Sequence, residues 1–314
     1  MKRAMIALIT MSAGCVDSAS PMGTAEDPDP ATLADIQTSP ETSDVLPKAI
    51  YPAAELAHGP LATTTSLTPT AITYHGGPVM LGPTKTYMIW YGSWANNTAM
   101  TILPYLVTKL GGTPYFKINT TYGNATGGKV PNALAYGGAI VDSYSQGTTL
   151  TDQGVWKVVN GALAANKLPT DPNGVYVVLS SPDVAESSGF CTAYCGWHTY
   201  GYRNGTKLRF VFVGGAARCL SACAPQAISP NGNPGADGMA STLTHEIEET
   251  VTDPDLNAWF DAGGAENADK CAWKFGPTYA TANGARANVK IGTRDFLIQQ
   301  NWLNVGLGSC AMSY

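Results

Sequence analysis

The sequence predicts an α/β fold, a mixed sheet flanked by helices, with a disulfide-stabilised, loop-rich C-terminal part. Three observations predict it. Compact β-branched and aromatic runs alternate with segments of helical apolar spacing from about residue 72 onward. One of the helical segments carries His245-Glu246-x-x-Glu249 in a chain with only 13% charged residues. Cysteines gather in the second half, at Cys191, Cys195, Cys219, Cys223, Cys271 and Cys310.

The N-terminus reads as an export signal. Lys2 and Arg3 form a positive region, and Ala4 to Met11 an apolar run too short to span a bilayer. Ser12-Ala13-Gly14-Cys15 offers a lipoprotein-type processing site, through which a lipidated Cys15 would attach the chain to a membrane. Ordinary cleavage near Ala19 or Ser20 is the alternative. The expected organisation is a signal segment over 1–20, a disordered linker or pro-segment over 21–71, rich in Pro, Asp, Thr and Ser, and one α/β domain over 72–314. The protein is therefore expected to be secreted, or held in the cell envelope. A net charge of −5 without a basic stripe argues against nucleic acid as a partner.

Within the domain, Thr86 to Tyr91 is the first core strand. Asn97 to Leu110 and Asp152 to Asn166 have amphipathic helical spacing, the second with Val155, Val158, Val159, Ala162 and Leu163 facing inward. Val175 to Leu179 and Leu208 to Val213 are two more buried strands. The turn-rich loop Pro230 to Gly235 delivers Asp237 as a helix N-cap. Met239 to Val251 is the helix that follows, ended by Pro254, which disfavours helical geometry at Asp253. Glycine- and asparagine-rich hairpins and loops complete the chain.

An even set of six cysteines, once Cys15 is set aside, implies disulfides in an exported chain. The close spacings point to Cys191–Cys195 and Cys219–Cys223, leaving Cys271–Cys310.

On a helix, residues i and i+4 lie one above the other, so His245 and Glu249 can grip one cation while Glu246 stands beside a water on it. That is the logic of a zincin-like active-site helix, in which the Glu after the first ligand is the general base. A carboxylate in place of the second histidine leaves zinc acceptable and admits harder ions. The plainer alternative is an acidic helix surface beside a hydrogen-bonded core histidine. His75 and His198 sit among aromatics and glycines and read as structural; His198 could instead donate to an oxyanion in a substrate cleft.

Several motifs in order resemble the phosphate-induced protein/Exordium family over roughly residues 72 to 314. They are Tyr74-His75-Gly76-Gly77-Pro78, Ile89-Trp90-Tyr91-Gly92-Ser93, Phe190-Cys191 with Cys195-Gly196, Pro230-Asn231-Gly232, Gly235-x-Asp237-Gly238-Met239 and Thr250-Val251-Thr252-Asp253-Pro254. The resemblance implies a secreted cell-wall protein linked to growth, with no established catalytic activity. This chain departs from the plant pattern at His245, Glu246 and Glu249, where small or apolar residues are expected. The same segment is similar to exported bacterial proteins presumed to be metallopeptidases, which follow the helix with pieces that here are Trp259-Phe260-Asp261 and Glu266 to Cys271.

Catalytic zinc takes three protein ligands and a water, so a third donor is needed. The bacterial likeness favours Glu266, in a loop that Cys271 would anchor, then Asp269. Asp255, ten residues after His245, has the spacing of the last metzincin ligand. The expected function is a metal-dependent peptidase: one zinc ion on His245, Glu249 and Glu266, Glu246 as base, and a protein or peptide substrate. Calcium is the alternative ion, on hard oxygens such as Glu249, Asp253, Asp255 and Asp261. A non-catalytic extracellular or cell-wall binding protein, or a structural metal-binding protein, are the competing functions.

Overall fold

The computed structural model describes residues 47–53 and 71–314. The expected signal segment, Cys15 and most of the expected linker lie outside the described residues. Six strands build the central sheet: β1 (Ala49–Pro52), β2 (Thr84–Tyr91), β3 (Leu134–Asp142), β4 (Gly174–Ser180), β5 (Tyr194–Arg203) and β6 (Thr206–Val213). Their order across the sheet is β1-β5-β6-β4-β2-β3. The run β6, β4, β2, β3 is parallel, while β5 is antiparallel to β6 and to β1. A strand buried on both faces needs apolar residues throughout, and every residue of β4 is buried. The reversal between β5 and β6 is made by Asn204-Gly205, both at positive φ, the two-residue turn whose twist matches the flanking strands.

Three long helices pack on this sheet: α1 (Ala99–Leu110), α2 (Asp152–Ala164) and α3 (Pro234–Thr252). The Thr151 side chain caps α2 by accepting the Gly154 N–H at 2.9 Å, and the expected apolar face from Val155 to Leu163 is buried. Helix α3 starts earlier than its apolar spacing suggests. Asn233 is the N-cap, accepting the Ala236 N–H at 3.0 Å, and Pro234 takes the first position, where its missing N–H costs nothing. Asp237 is therefore not the cap. Its carboxylate accepts from the backbone and side-chain nitrogens of Asn231 at 2.9 and 2.6 Å, which fixes the preceding loop.

Helix α3 is buried from Gly235 to Thr252 although its sequence is only weakly apolar. Buried hydroxyls need partners, and they find them on the helix itself: Thr244, Thr250 and Thr252 donate to carbonyls one turn back. At the helix end the Asp253 carboxylate accepts the N–H groups of Asn257 and Ala258 at 2.6 and 2.7 Å. Strand β5 crosses α3 at Gly196. A Cβ there would lie 2.5 Å from Thr242 Cγ2 and 3.0 Å from Glu246 Oε1, so only glycine lets strand and helix approach this closely.

Two of the expected disulfides are corrected. Cys191 joins Cys219 and Cys195 joins Cys223, while Cys271 joins Cys310. The chain from Cys191 to Cys195 runs through a turn into extended β5, and Cys219 and Cys223 flank one helical turn, Leu220–Cys223. The two stretches lie side by side, so each cysteine meets the one across from it, with Cα separations of 5.8 and 5.5 Å. A second difference is at the N-terminal side. Pro47 to Ala53, placed by composition in the linker, contributes β1 to the edge of the sheet. The C-terminal part consists of short pairs such as Val289–Ile291 with Arg294–Phe296 and Asn301–Leu303 with Ser309–Ala311. Among the described residues, no helix is long and apolar enough to cross a membrane.

Non-reducing peptide mapping should recover Cys191 linked to Cys219 and Cys195 linked to Cys223; peptides carrying Cys191–Cys195 would contradict the pairing. Replacing Cys195 and Cys223 by Ala should cost about 2.5 kcal/mol in denaturant unfolding, because Cys191–Cys219 still closes most of the 28-residue loop.

Candidate functional site

One turn of α3 sets His245 Nε2 2.9 Å from Glu249 Oε1. The 3₁₀ turn Asp269–Cys271 brings Asp269 Oδ1 to 3.5 Å from the same nitrogen. The Cys271–Cys310 bridge ties down that turn, and the Asp269 N–H donates to Glu249 Oε1 at 3.1 Å. The other oxygen of Glu249 faces β5. Its Oε2 is 3.6 Å from His198 Nε2, which in turn lies 2.8 Å from Glu266 Oε2. Two trios of donors result, His245/Glu249/Asp269 and His198/Glu249/Glu266, each with its donor atoms within 4.8 Å of one another. They meet at Glu249, which offers one oxygen to each.

Four side chains in and beside these trios carry buried atoms without the partners burial demands. Among the described residues, His245 Nε2, both oxygens of Glu246, Glu249 Oε2 and Glu266 Oε1 have no hydrogen-bond partner. The close His245–Glu249 approach is thus a contact without a hydrogen bond's alignment. An unsatisfied buried carboxylate is costly, and a cluster of them facing two imidazoles is the arrangement that a cation compensates. The residues present therefore fit a metal.

The titration behaviour follows from the same crowding. Burial raises the carboxyls of Glu246, Glu248 and Glu266 well above the usual 4.5, with neighbouring acids adding to the effect at Glu246 and Glu266. Glu249 is raised to about 7, by burial first and then by Asp269, with His245 opposing. Burial holds His198 down to about 3, aided by His245. Burial also pulls on His245, but the Glu249 and Asp269 carboxylates overrule it and raise the imidazole well above 6.5.

Glu246 points from α3 toward the β5–β1 edge, beside Gly196, and the Tyr51 backbone N–H of β1 acts on its carboxyl. Tyr51 itself covers His245, ring centroids 4.6 Å apart, and stacks on Trp273 at 5.3 Å. A cleft of ≈ 200 Å³ lined by Lys48, Ala49, Asp253, Leu256, Phe260, Gly264 and Glu266 reaches the His198 end of the site.

Of the residues singled out from sequence, His245, Glu246, Glu249, Glu266, Asp269 and His198 come together. Asp255 does not. It is bound to Lys207 and Arg209 at 2.9 Å each, an ion cluster that holds the end of β6 to the loop after α3. Asp253 and Asp261 are likewise engaged, by backbone N–H groups and, for Asp261, by Lys270 at 2.7 Å. His75 is structural, stacked on Phe260 at 3.7 Å and bonded to its carbonyl. Sequence reasoning missed Gln299, whose side-chain amide lies 2.5 Å from His245 Nδ1. The nitrogen of that amide also donates to the Ala268 carbonyl at 3.2 Å, so Gln299 ties the back of the His245 ring to the loop that carries Asp269. No motif marks it, because it arrives from a loop far along the chain.

Comparison with known proteins gives a match to the family model "Phosphate-induced protein 1 conserved region" over residues 72–294. The chain is 30% identical over 271 residues to Protein EXORDIUM-like 3 of Arabidopsis thaliana, covering 74% of this chain and 80% of the relative. It is 30% identical over 279 residues to Protein EXORDIUM-like 5 of the same plant, covering 76% of each. It is 24% identical over 217 residues to Protein PHOSPHATE-INDUCED 1 of Nicotiana tabacum, covering 60% of this chain and 66% of the relative. No solved structure matches.

Carboxyls held protonated by burial stabilise the fold fully below their ordinary value of 4.5, and that stability is lost as pH rises through the folded value, about 7 for Glu249. His198, held neutral, acts in the opposite sense below 6.5 but is outnumbered. Chelated protein should therefore melt at falling temperature as pH rises from about 5 to about 8, and saturating divalent metal should remove the fall. A melting temperature that rises over this range in chelator would contradict the protonated cluster.

Proposed function

The chain belongs to the phosphate-induced protein 1 (Exordium) family, and we propose for it a function carried by the donor cluster on α3: a secreted, metal-dependent hydrolase acting on peptide bonds. The observation that carries the proposal is the pair of donor trios sharing Glu249, with their buried, unpartnered oxygens and nitrogens. The primary position is His245, Glu249 and Asp269. Glu266, first choice from sequence for the third ligand, serves the His198 trio instead, so His198 is a donor of the same kind rather than an oxyanion group. One imidazole with two carboxylates accepts zinc and admits harder ions. The three disulfides fit an exported protein.

A bound metal ion supplies a Lewis acid that polarises the scissile carbonyl and acidifies water. The protein's own residues do the rest. Glu246, whose buried carboxyl would ionise once a cation stood beside it, would take a proton from the attacking water and return it to the departing amine as the carbon–nitrogen bond breaks. Gln299 fixes the His245 ring, and the Asp269 N–H fixes the Glu249 carboxylate. The protein walls that bury the cluster keep bulk water out, which strengthens each of these interactions.

A second reading has its own observation. His198, His245, Glu246 and Glu249 all have no exposed surface, which suits a closed structural ion in a non-catalytic extracellular protein. The two readings part in one set of measurements. Glu246→Gln should keep its metal by elemental analysis while chelator-sensitive cleavage of a generic protein falls by about 10²-fold or more. His245→Ala should lose the metal. A Glu246→Gln protein that cleaves normally removes Glu246 as base, and metal-loaded protein without cleavage, destabilised by chelator, favours the structural ion.

A further inference from the structure

Strand β1 lies where a substrate for the proposed reaction has to lie. It pairs antiparallel with β5, Ala49 opposite His198, Ile50 opposite Trp197 and Tyr51 opposite Gly196. Gly196 is the residue beside the Glu246 carboxylate, so the backbone at Tyr51 passes over the group assigned as base. Adding an extended segment to a sheet edge, with main-chain bonds for affinity and side-chain pockets for selection, is a general way of recognising peptides.

Both kinds of contact are present. Lys48 enters a buried acidic pocket, Nζ 2.7 and 2.8 Å from the two oxygens of Asp152 and 2.6 Å from Ser188 Oγ, over the rings of Tyr194 and Trp197. Glu186 adds a second carboxylate behind Ser188, bonded to its hydroxyl at 2.7 Å. Three residues on, Tyr51 fills the slot between Trp273 and His245. The register slips between Tyr51 and Pro52, and proline has no N–H for the ladder. Past this bulge the pairing resumes, with Pro52 opposite Tyr194 and the Ala53 N–H donating to the Ala193 carbonyl at 3.1 Å.

We propose that the edge of β5 is a groove for an extended polypeptide presenting a lysine and, three residues later, an aromatic residue, and that residues 47–53 of this chain occupy it as an internal blocker. The substrate class rests on the hydrolase reading; recognition of the segment is tested apart from it. The groove takes the basic side chain at Asp152 and the aromatic one on His245, and it opens when β1 leaves.

The test uses the full chain carrying Glu246→Gln, so that no turnover is needed. Adding Lys48→Ala and Tyr51→Ala removes both side-chain anchors of β1. Amide hydrogen exchange in β5 at Gly196 and His198, whose N–H groups face β1, should rise, and a fluorescent peptide of residues 47–53 should bind this variant and restore the protection, while the chain with intact β1 binds at least about tenfold more weakly. Asp152→Asn in the opened variant should weaken binding about tenfold or more, as expected for a buried charge losing its partner. A peptide with the lysine and tyrosine exchanged should not bind. The Lys48→Ala single variant gives the same exchange readout should the double variant fold poorly. Raised exchange with no peptide binding, or equal binding of the exchanged peptide, overturns the groove. Peptide binding by an opened variant with Glu246 intact that cleaves nothing overturns only the hydrolase reading, and cleavage of proteins by it without peptide binding overturns only this one.

Discussion

The burial of a polar, acidic helix is the constraint on which the structure depends. Helix α3 carries His245, Glu246, Glu248 and Glu249 with no exposed surface on any of them. Removing that many ionisable groups from water is opposed by several kcal/mol per charge, and protein contacts repay it only when every lone pair and proton finds a partner. Here they do not: Glu246 and parts of His245, Glu249 and Glu266 are left over. Protons can neutralise the cluster in part, as the raised carboxyls show, but two imidazoles from different elements converging on shared carboxylates is an arrangement that a cation satisfies better.

The rest of the fold serves that helix. The parallel strands β2, β4 and β6 give a rigid apolar wall, and Gly196 lets β5 come close enough to set His198 opposite Glu249. Cys195–Cys223 fastens the start of β5 to the segment leading into α3, and Cys271–Cys310 fastens the turn that holds Asp269. The bridges therefore lie on the elements whose relative placement the donors require, which is where cross-links reduce the freedom that the proposed metal site could not tolerate.

Much of this was legible in the residues, for reasons that are local. The β-branched runs at Thr86 to Tyr91, Val175 to Leu179 and Leu208 to Val213 are strands because buried parallel strands need apolar side chains on both faces, and the i, i+4 spacing of His245 and Glu249 survives any packing of the helix. Strand β5 was missed: its mixture of Gly, His, Thr and Tyr hides its pattern, although the Asn204-Gly205 turn after it was a readable signal. Partners distant in sequence were the other loss. Which of Glu266 and Asp269 meets His245, that Gln299 backs it, and that cysteines pair across two adjacent stretches all depend on tertiary placement. Pro47 to Ala53 reads as linker by composition; it takes its structure from the β5 edge and from Lys48 and Tyr51.

Family membership fixes the fold relationship and leaves the chemistry to the site, since one fold hosts many functions. The most direct measurement of the central claim is anomalous scattering at the zinc edge from crystals of protein purified without chelator. The expected result is a peak bonded to His245 Nε2 and a Glu249 carboxylate oxygen, with Asp269 completing the protein ligands. Density showing these side chains bonded only to one another and to protons, with no peak after zinc is added, would contradict it.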